Sequence, residues 1–229
     1  MTLKNRMDNH ILSGIIGLCV GDALGVPVGF TDRETLKENP VLGMRSYGTY
    51  NQPAGTWSDD TSMTLCLLES LTKGLNYQDI MENFFKWLTT SEYTPHGETF
   101  DVGNTTREAI MRFSRGIPPL ECGGTDERDN GNGSLMRILP VAFYLYPIYG
   151  VDFHKFDEAF EIIHNVSTLT HAHKRSLIAC GIYVSVALML VEGMDIRQAV
   201  KSGICKAVRY YRNHVDYPDE LNHYDRLIG

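Results

Sequence analysis

The chain has 229 residues, 43% of them hydrophobic, and a formal net charge of −7. That length suits one domain with a sizeable buried core, and the composition is that of an ordinary soluble globular protein without a biased tract. The negative charge, with no basic stripe, excludes a typical nucleic-acid surface. It does not exclude an anionic ligand, because glycine loops and helix N-termini bind phosphate without net positive charge.

The five cysteines, Cys19, Cys66, Cys122, Cys180 and Cys205, form no Cys-x-x-Cys pair. Their odd number and mostly apolar settings argue against a disulfide framework or a zinc site, and for a reducing, cytoplasmic compartment. Met1 to Asn9 is polar and mixed in charge, unlike a signal peptide. Leu177 to Val191 reads as the most apolar stretch. It is short of a membrane span and contains Gly181 and Ser185, so a buried helix is expected and no membrane association.

The predicted elements are helices almost throughout. Asn9 is placed to cap a first helix running to about Leu24, and a glycine- and proline-rich loop follows from Gly25 through Gly55. Ser58 is placed to cap a second helix, which carries Asp59, Asp60, Met63, Leu67, Leu68 and Leu71 and stops at Gly74. Ile80, Phe84 and Leu88 mark one face of the next. Thr105 and Glu108 are spaced as a capping box for a helix ending near Gly116. A loop with Gly123, Gly124, Gly131 and Gly133 leads to a helix from about Ser134, with a kink expected at Pro140. Phe156, Phe160 and Ile163 mark a further helix. A long apolar one starts near Lys174, and a last one runs from Asp195 to about Tyr211. Strand patterns are scarce, and no repeat or linker divides the chain. The expectation is an all-α, single-domain helical bundle over residues 1–229.

Four segments carry candidate chemistry. In Trp57-Ser58-Asp59-Asp60-Thr61, two adjacent carboxylates flanked by hydroxyls offer hard oxygen ligands of the kind Mg²⁺ or Mn²⁺ prefers. The same residues would also serve as an ordinary helix N-terminus, with acids favoured by the dipole. Asp22 falls on one stripe with Ile11, Ile15 and Leu18, and a carboxylate on an apolar stripe needs a partner, either loop amides or an arginine. Asp101 lies in a loop just ahead of a helix, in Asp101-Val102-Gly103-Asn104-Thr105-Thr106. It is either a turn residue or, beside a metal, an acid that orients or deprotonates water. Asn130-Gly131-Asn132-Gly133-Ser134-Leu135-Met136-Arg137 can turn backbone amides toward an anion, or be a plain flexible loop. His171 and His173 would diverge on a helix and read as packing or pocket-lining residues.

Together these segments resemble the ADP-ribosylglycohydrolase family, which includes the dinitrogenase reductase-activating glycohydrolases. Gly14-Ile15-Ile16-Gly17 through Gly21-Asp22-Ala23-Leu24-Gly25-Val26-Pro27 is similar to its first helix, and Trp57 to Thr61 to its first metal motif. The Asp101 to Thr106 and Gly131 to Arg137 segments resemble its next two motifs, and Thr170-His171-Ala172-His173 stands where the family often has a similar Thr-His. The order of the pieces makes the resemblance specific, and it covers nearly the whole chain.

The resemblance implies an orthogonal all-α bundle with two divalent cations, Mg²⁺ or Mn²⁺, at the bottom of a cleft. It implies hydrolysis of the bond joining ADP-ribose to a modified group, often an arginine side chain. Carried over by position, Ser58, Asp59 and Asp60 would be metal ligands, and Asp101, with Asp60, would act at the scissile bond. Gly131, Asn132, Gly133 and Ser134 would cradle the diphosphate, and Asp22, Gly103, Asn104, Met136 and His171 would complete the substrate site. The implied partner is an ADP-ribosylated protein or a small ADP-ribosyl compound.

One departure stands out. The family's second metal motif, Asp-x-Asp-Thr/Ser on a late helix, has no counterpart. Asp216 and Asp219 are three apart with a proline between them, and the sequence ends at Tyr224-Asp225-Arg226-Leu227-Ile228-Gly229. The chain therefore reads as a C-terminally shortened member, with fewer metal-ligating oxygens and with apolar core surface exposed unless a second copy covers it. Two other readings follow from the same departure: a catalytically impaired ADP-ribose-binding module, or an interaction protein that keeps only the scaffold.

Overall fold

The computed structural model describes the backbone of residues 3–228 and the side chains of residues 9–228. Most of the polar N-terminal stretch therefore lies outside the described side chains. The fold is all-α. Among the described residues there is no strand, only two isolated bridges, Tyr47 with Gln52 and Gly124 with His171.

The helices follow the order α1 (Leu3–Gly25), α2 (Arg33–Glu38), α3 (Asp59–Thr72), α4 (Tyr77–Thr90), α5 (Asn104–Ser114), α6 (Leu139–Tyr149), α7 (Asp157–Thr168), α8 (Lys174–Glu192) and α9 (Ile196–Arg212). Two short helices, α10 (Pro218–Leu221) and α11 (Asp225–Ile228), end the described chain. Several ends are set by the expected chemistry. Asn76 accepts from the amides of Gln78 and Asp79 at the start of α4, and Asp195 accepts from those of Arg197 and Gln198 at the start of α9. Gly74 and Gly116 follow α3 and α5 with positive φ, as helix-terminating glycines do.

Four expectations need correction. α1 begins at Leu3, so Asn9 lies inside the helix and does not cap it. Thr105 and Glu108 make no capping box, because α5 begins at Asn104 with Gly103 as its N-cap. The Thr105 hydroxyl instead donates to Asp129 at 3.1 Å, and Glu108 pairs with Arg112. Pro140 does not kink a helix. Leu135–Arg137 is a separate 3-10 turn, and Pro140 sits in the first turn of α6, where its missing N–H has no intrahelical partner to lose. Finally, the segment Asn9–Val28 is more apolar than α8.

α8 packs against α6, α7 and α9, and its buried residues include Ile178, Val184, Leu188 and Met189. Gly181 is required there: a Cβ would collide with the Tyr211 hydroxyl of α9. Met63 and Leu67 of α3, Ile80, Phe84 and Trp87 of α4, and Phe160 and Ile163 of α7 join the same core. α1 is different. Ile11, Ile15 and Leu18 pack partly against the core, as their spacing predicts, while Leu12, Ile16 and Val20 remain 61%, 52% and 42% exposed. Both Asn9–Val28 and α8 are long and apolar enough to cross a membrane, but α8 is mostly buried within the fold.

Candidate active site

The N-terminus of α3 is built by a residue from another helix. Ser58 is its N-cap by position, yet its side chain makes no capping bond. Asp22 of α1 does that work. Its carboxylate accepts from the Ser58 amide at 2.9 Å and the Thr61 amide at 3.0 Å, and from the Ser58 and Thr61 hydroxyls at 2.7 and 2.6 Å. The partner expected for Asp22 is thus neither a glycine loop nor an arginine but the first turn of α3. The unsatisfied amides of a helix start suit a carboxylate well.

This clamp fixes Asp59 and Asp60. Asp59 is buried, and burial first, then Asp60 and Asp101, raise its carboxyl to about 8. Asp60 is raised to about 6 by burial and by the charge of Asp22, with the Ser58 hydroxyl opposing. Asp101 precedes α5 with a φ of 56°, in the left-handed region. Holding a non-glycine residue there costs free energy and marks a constrained position. Across from it, the Tyr50 hydroxyl hydrogen-bonds to the Asp101 carboxylate, and burial with that carboxylate raises the Tyr50 phenol.

Asp59, Asp60 and Asp101 open on a cavity of about 400 Å³ whose other walls include Gly103, Asn104, Gly131, Asn132, Gly133, Met136 and His171. A volume of that order is enough for a small-molecule ligand. Asp22 and Ser58 line an adjoining cavity of about 390 Å³, which shares Asp60 and Asp101 with the first. Of the metal, catalytic and substrate-site residues carried over from the family resemblance, only Ser134 turns away from both. Its hydroxyl is fully buried, accepting from Ser167 at 2.8 Å beside the Cys180 thiol. His171 and His173 part company in a loop, not on a helix. His171 faces the cavity, while His173 caps α8 by accepting from the Arg175 amide. Gly133 allows the walls to meet, since a Cβ there would lie 2.6 Å from the His171 ring and 2.9 Å from the Thr106 hydroxyl.

The sequence assigns no site role to three of the lining residues. Phe30, 90% exposed at positive φ, stands on the cavity wall, and its ring lies 6.4 Å from that of Tyr50. Thr105 and Thr106 line the cavity as well. Phe30 belongs to no recognisable motif and arrives through a loop, whereas the two threonines close the Asp101–Thr106 segment in the first turn of α5.

The donor set is chemically suited to a hard divalent cation: three carboxylates line the cavity, and no cysteine does. Burial first, and neighbouring acids second, raise the Asp59 and Asp60 carboxyls, and a bound cation would offset both effects. Among the described residues, however, no group of three or more His, Cys, Asp or Glu side chains is gathered closely enough to hold a metal ion.

Comparison with known proteins identifies the family. The family model described as ADP-ribosylglycohydrolase matches residues 3–228. ADP-ribosylarginine hydrolase Tri1 of Serratia proteamaculans is 28% identical over 187 residues, which are 81% of this chain and 48% of that protein. The ADP-ribosyl-[dinitrogen reductase] glycohydrolase of Rhodospirillum rubrum is 36% identical over 138 residues, 58% of this chain and 44% of that protein. A solved structure titled ADP-ribosylglycohydrolase-related protein complex superposes with a TM-score of 0.65 at 28% identity, covering 91% of this chain and 63% of the other. The chain spans about half the length of the curated relatives it matches. Motif order, fold and matched span together place the chain in the ADP-ribosylglycohydrolase family.

Proposed function

We propose that this chain carries the site of a hydrolase that cleaves the glycosidic bond between ADP-ribose and a modified group, with an arginine side chain of a protein as the favoured target. The observation that supports it best is the shared cavity. It sets the Asp59, Asp60 and Asp101 carboxylates against the Gly131–Gly133 loop and His171. One end would favour a cation and the developing positive charge of a ribosyl centre; the other offers polar groups to an anionic diphosphate. The relatives named above act, by name, on ADP-ribosylarginine and on ADP-ribosyl-dinitrogen reductase.

Asp59 and Asp60 would hold a divalent cation, with Ser58 steadying them. When bound, the cation would supply charge stabilisation and a more acidic water. Asp101 would accept the proton of the attacking water, and the Tyr50 hydroxyl would hold that carboxylate in place. Gly103 and Asn104, at the start of α5, would border the ribose. The two cations of the family resemblance would require oxygens beyond these three carboxylates.

The second reading, an ADP-ribose-binding module without turnover, is favoured by the lack, among the described residues, of three or more His, Cys, Asp or Glu side chains grouped to hold a metal ion. Calorimetric titration of metal-free protein with Mn²⁺, then with ADP-ribose, separates the two when paired with an ADP-ribosylarginine hydrolysis assay. The hydrolase reading expects Mn²⁺ binding, metal-dependent ADP-ribose affinity and turnover. ADP-ribose binding that ignores metal, without turnover, would establish the binding module, and no binding of either would overturn both.

A further inference from the structure

Arg137 is a cation with no charge partner. It is fully buried, and among the described residues it forms no salt bridge; its Nε and Nη1 atoms have no hydrogen-bond partner. It remains protonated near neutrality, since burial lowers its pKa only to about 10. The guanidinium lies over the Phe84 ring, 4.6 Å from its centroid. Its Nη2 donates to the Val166 carbonyl at 3.2 Å and to the Thr170 hydroxyl at 2.8 Å. Burying an unpaired charge is expensive, and an apolar side chain of similar volume would avoid that cost. A role tied to the charge and its hydrogen bonds accounts for it.

The next link leads into the cavity. Thr170 Oγ1 lies 2.8 Å from His171 Nδ1. A hydroxyl has one proton to give, and Arg137 can only donate. With Arg137 donating to Oγ1, the Thr170 proton has one acceptor among the described residues, His171 Nδ1. Oγ1 has a second lone pair and could accept from Nδ1–H as well, but its own proton would then have no acceptor among the described residues. The pairing that satisfies every group has Nδ1 accepting and the ring proton on Nε2, on the side of the ring nearer Gly131 and Gly133. Nε2 has no hydrogen-bond partner among the described residues. Burial, with Arg137 adding to it, keeps His171 neutral by lowering its pKa to about 4. Without such a device, an imidazole in the same cavity as three carboxylates would be drawn toward the charged form.

We propose that Arg137 and Thr170 are positioning residues that hold His171 as its Nε2–H tautomer, presenting one neutral hydrogen-bond donor to an oxygen of the ADP-ribosyl group. The proposal rests on the ADP-ribose reading for the identity of the ligand only. The relay itself stands on the contacts between Arg137, Thr170 and His171.

The test uses the full chain labelled with ¹⁵N and long-range ¹H–¹⁵N correlation of the imidazole nitrogens, without ligand, with His171→Gln for assignment. The wild type should show protonated Nε2 and unprotonated Nδ1 for His171. Thr170→Val should lose that pattern, and Thr170→Ser should restore it. ADP-ribose affinity should fall roughly tenfold in Thr170→Val, the usual scale for one misdirected hydrogen bond, and recover in Thr170→Ser. A protonated Nδ1 in the wild type, a tautomer unchanged in Thr170→Val, or unchanged ADP-ribose affinity in that variant would each overturn the proposal. If the wild type does not bind ADP-ribose, the functional reading falls, while the ring-nitrogen spectra still decide the tautomer. Thr170 carries the test because substitutions at the buried Arg137 risk the fold.

Discussion

At the scale of the residue, Asp59 and Asp60 are held where two effects oppose. The amides of a helix start favour a carboxylate, yet burial and neighbouring acids push both carboxyls upward. Repulsion of this kind costs stability and is kept where charge is needed. We expect Asp59→Asn to stabilise the metal-free chain at pH 8 by ~2 kcal/mol, since a desolvated, repelled carboxylate is removed. The same change should abolish Mn²⁺ binding. Urea unfolding and calorimetry on the same two proteins check both statements, and a variant that is less stable would show that Asp59 is paired, not repelled. Asp101 calls for a different substitution. Its positive φ suits asparagine nearly as well as aspartate, so Asp101→Asn removes charge while keeping the backbone. We expect the variant to slow hydrolysis at least a hundredfold, the scale of a general base, while ADP-ribose affinity changes little. The reverse pattern would make Asp101 a binding residue only. These acids are legible in the sequence because they are contiguous or sit in short motifs. The Arg137–Thr170–His171 relay was not, because it joins residues 33 apart whose contact exists only once α7 has turned the chain back.

At the scale of the element, the central object is the α1–α3 joint. Asp22 accepts four hydrogen bonds from Ser58 and Thr61, so one carboxylate of α1 both caps α3 and sets where Asp59 and Asp60 stand. The periodicity of α1 shows that Asp22 shares a stripe with Ile15 and Leu18, but no local rule reveals that its partner is 36 residues away. For the same reason Ser58 reads as a self-sufficient cap when its hydroxyl is committed to Asp22. Thr105 and Glu108 satisfy the spacing of a capping box, yet Asp129 draws the Thr105 hydroxyl away. Tertiary partners override local capping in both cases. We expect Asp22→Ala to cost ~2–3 kcal/mol, since two hydroxyls and two amides lose an ionised acceptor together. In a chain of this size that is a fall of roughly 5–10 °C in Tm. Asp22→Asn, which keeps an acceptor without the charge, should lose about half as much. Equal losses in both variants would mean that the charge at the α3 terminus, and not the hydrogen bonds, holds the joint.

At the scale of the whole molecule, the helix spacing of the sequence is enough to show an all-α chain, while the balance of buried charge emerges only from the packing. That balance fixes how stability depends on pH. His164 lies in an aromatic cluster with Tyr210, Tyr211 and Tyr217, and burial lowers its pKa to about 3, as it lowers that of His171 to about 4. An unfolded histidine titrates near 6.5, so below that pH the unfolded chain binds the extra protons and these residues withdraw stability as pH falls. Asp59 and Asp60 act in the opposite sense. Their folded values of about 8 and about 6 exceed the unfolded value near 4, so the folded chain binds the extra protons and they withdraw stability as pH rises. Between about pH 4.5 and 6 these four groups oppose one another two against two, and their combined contribution to the metal-free curve should be nearly flat. Above about pH 6.5 the histidines are neutral in both states while Asp59 is still giving up its proton, so stability should decline toward pH 8. Asp59→Asn removes one side of the balance. Its curve should level off above pH 7 and fall on acidification below pH 6, by ~1.4 kcal/mol per pH unit for the one uncompensated proton. Urea titrations of metal-free wild type and Asp59→Asn at intervals from pH 4.5 to 8 give the difference directly. That difference should widen steadily with pH. A constant gap would mean that Asp59 titrates as an ordinary carboxylate and that the cavity does not hold its acids desolvated.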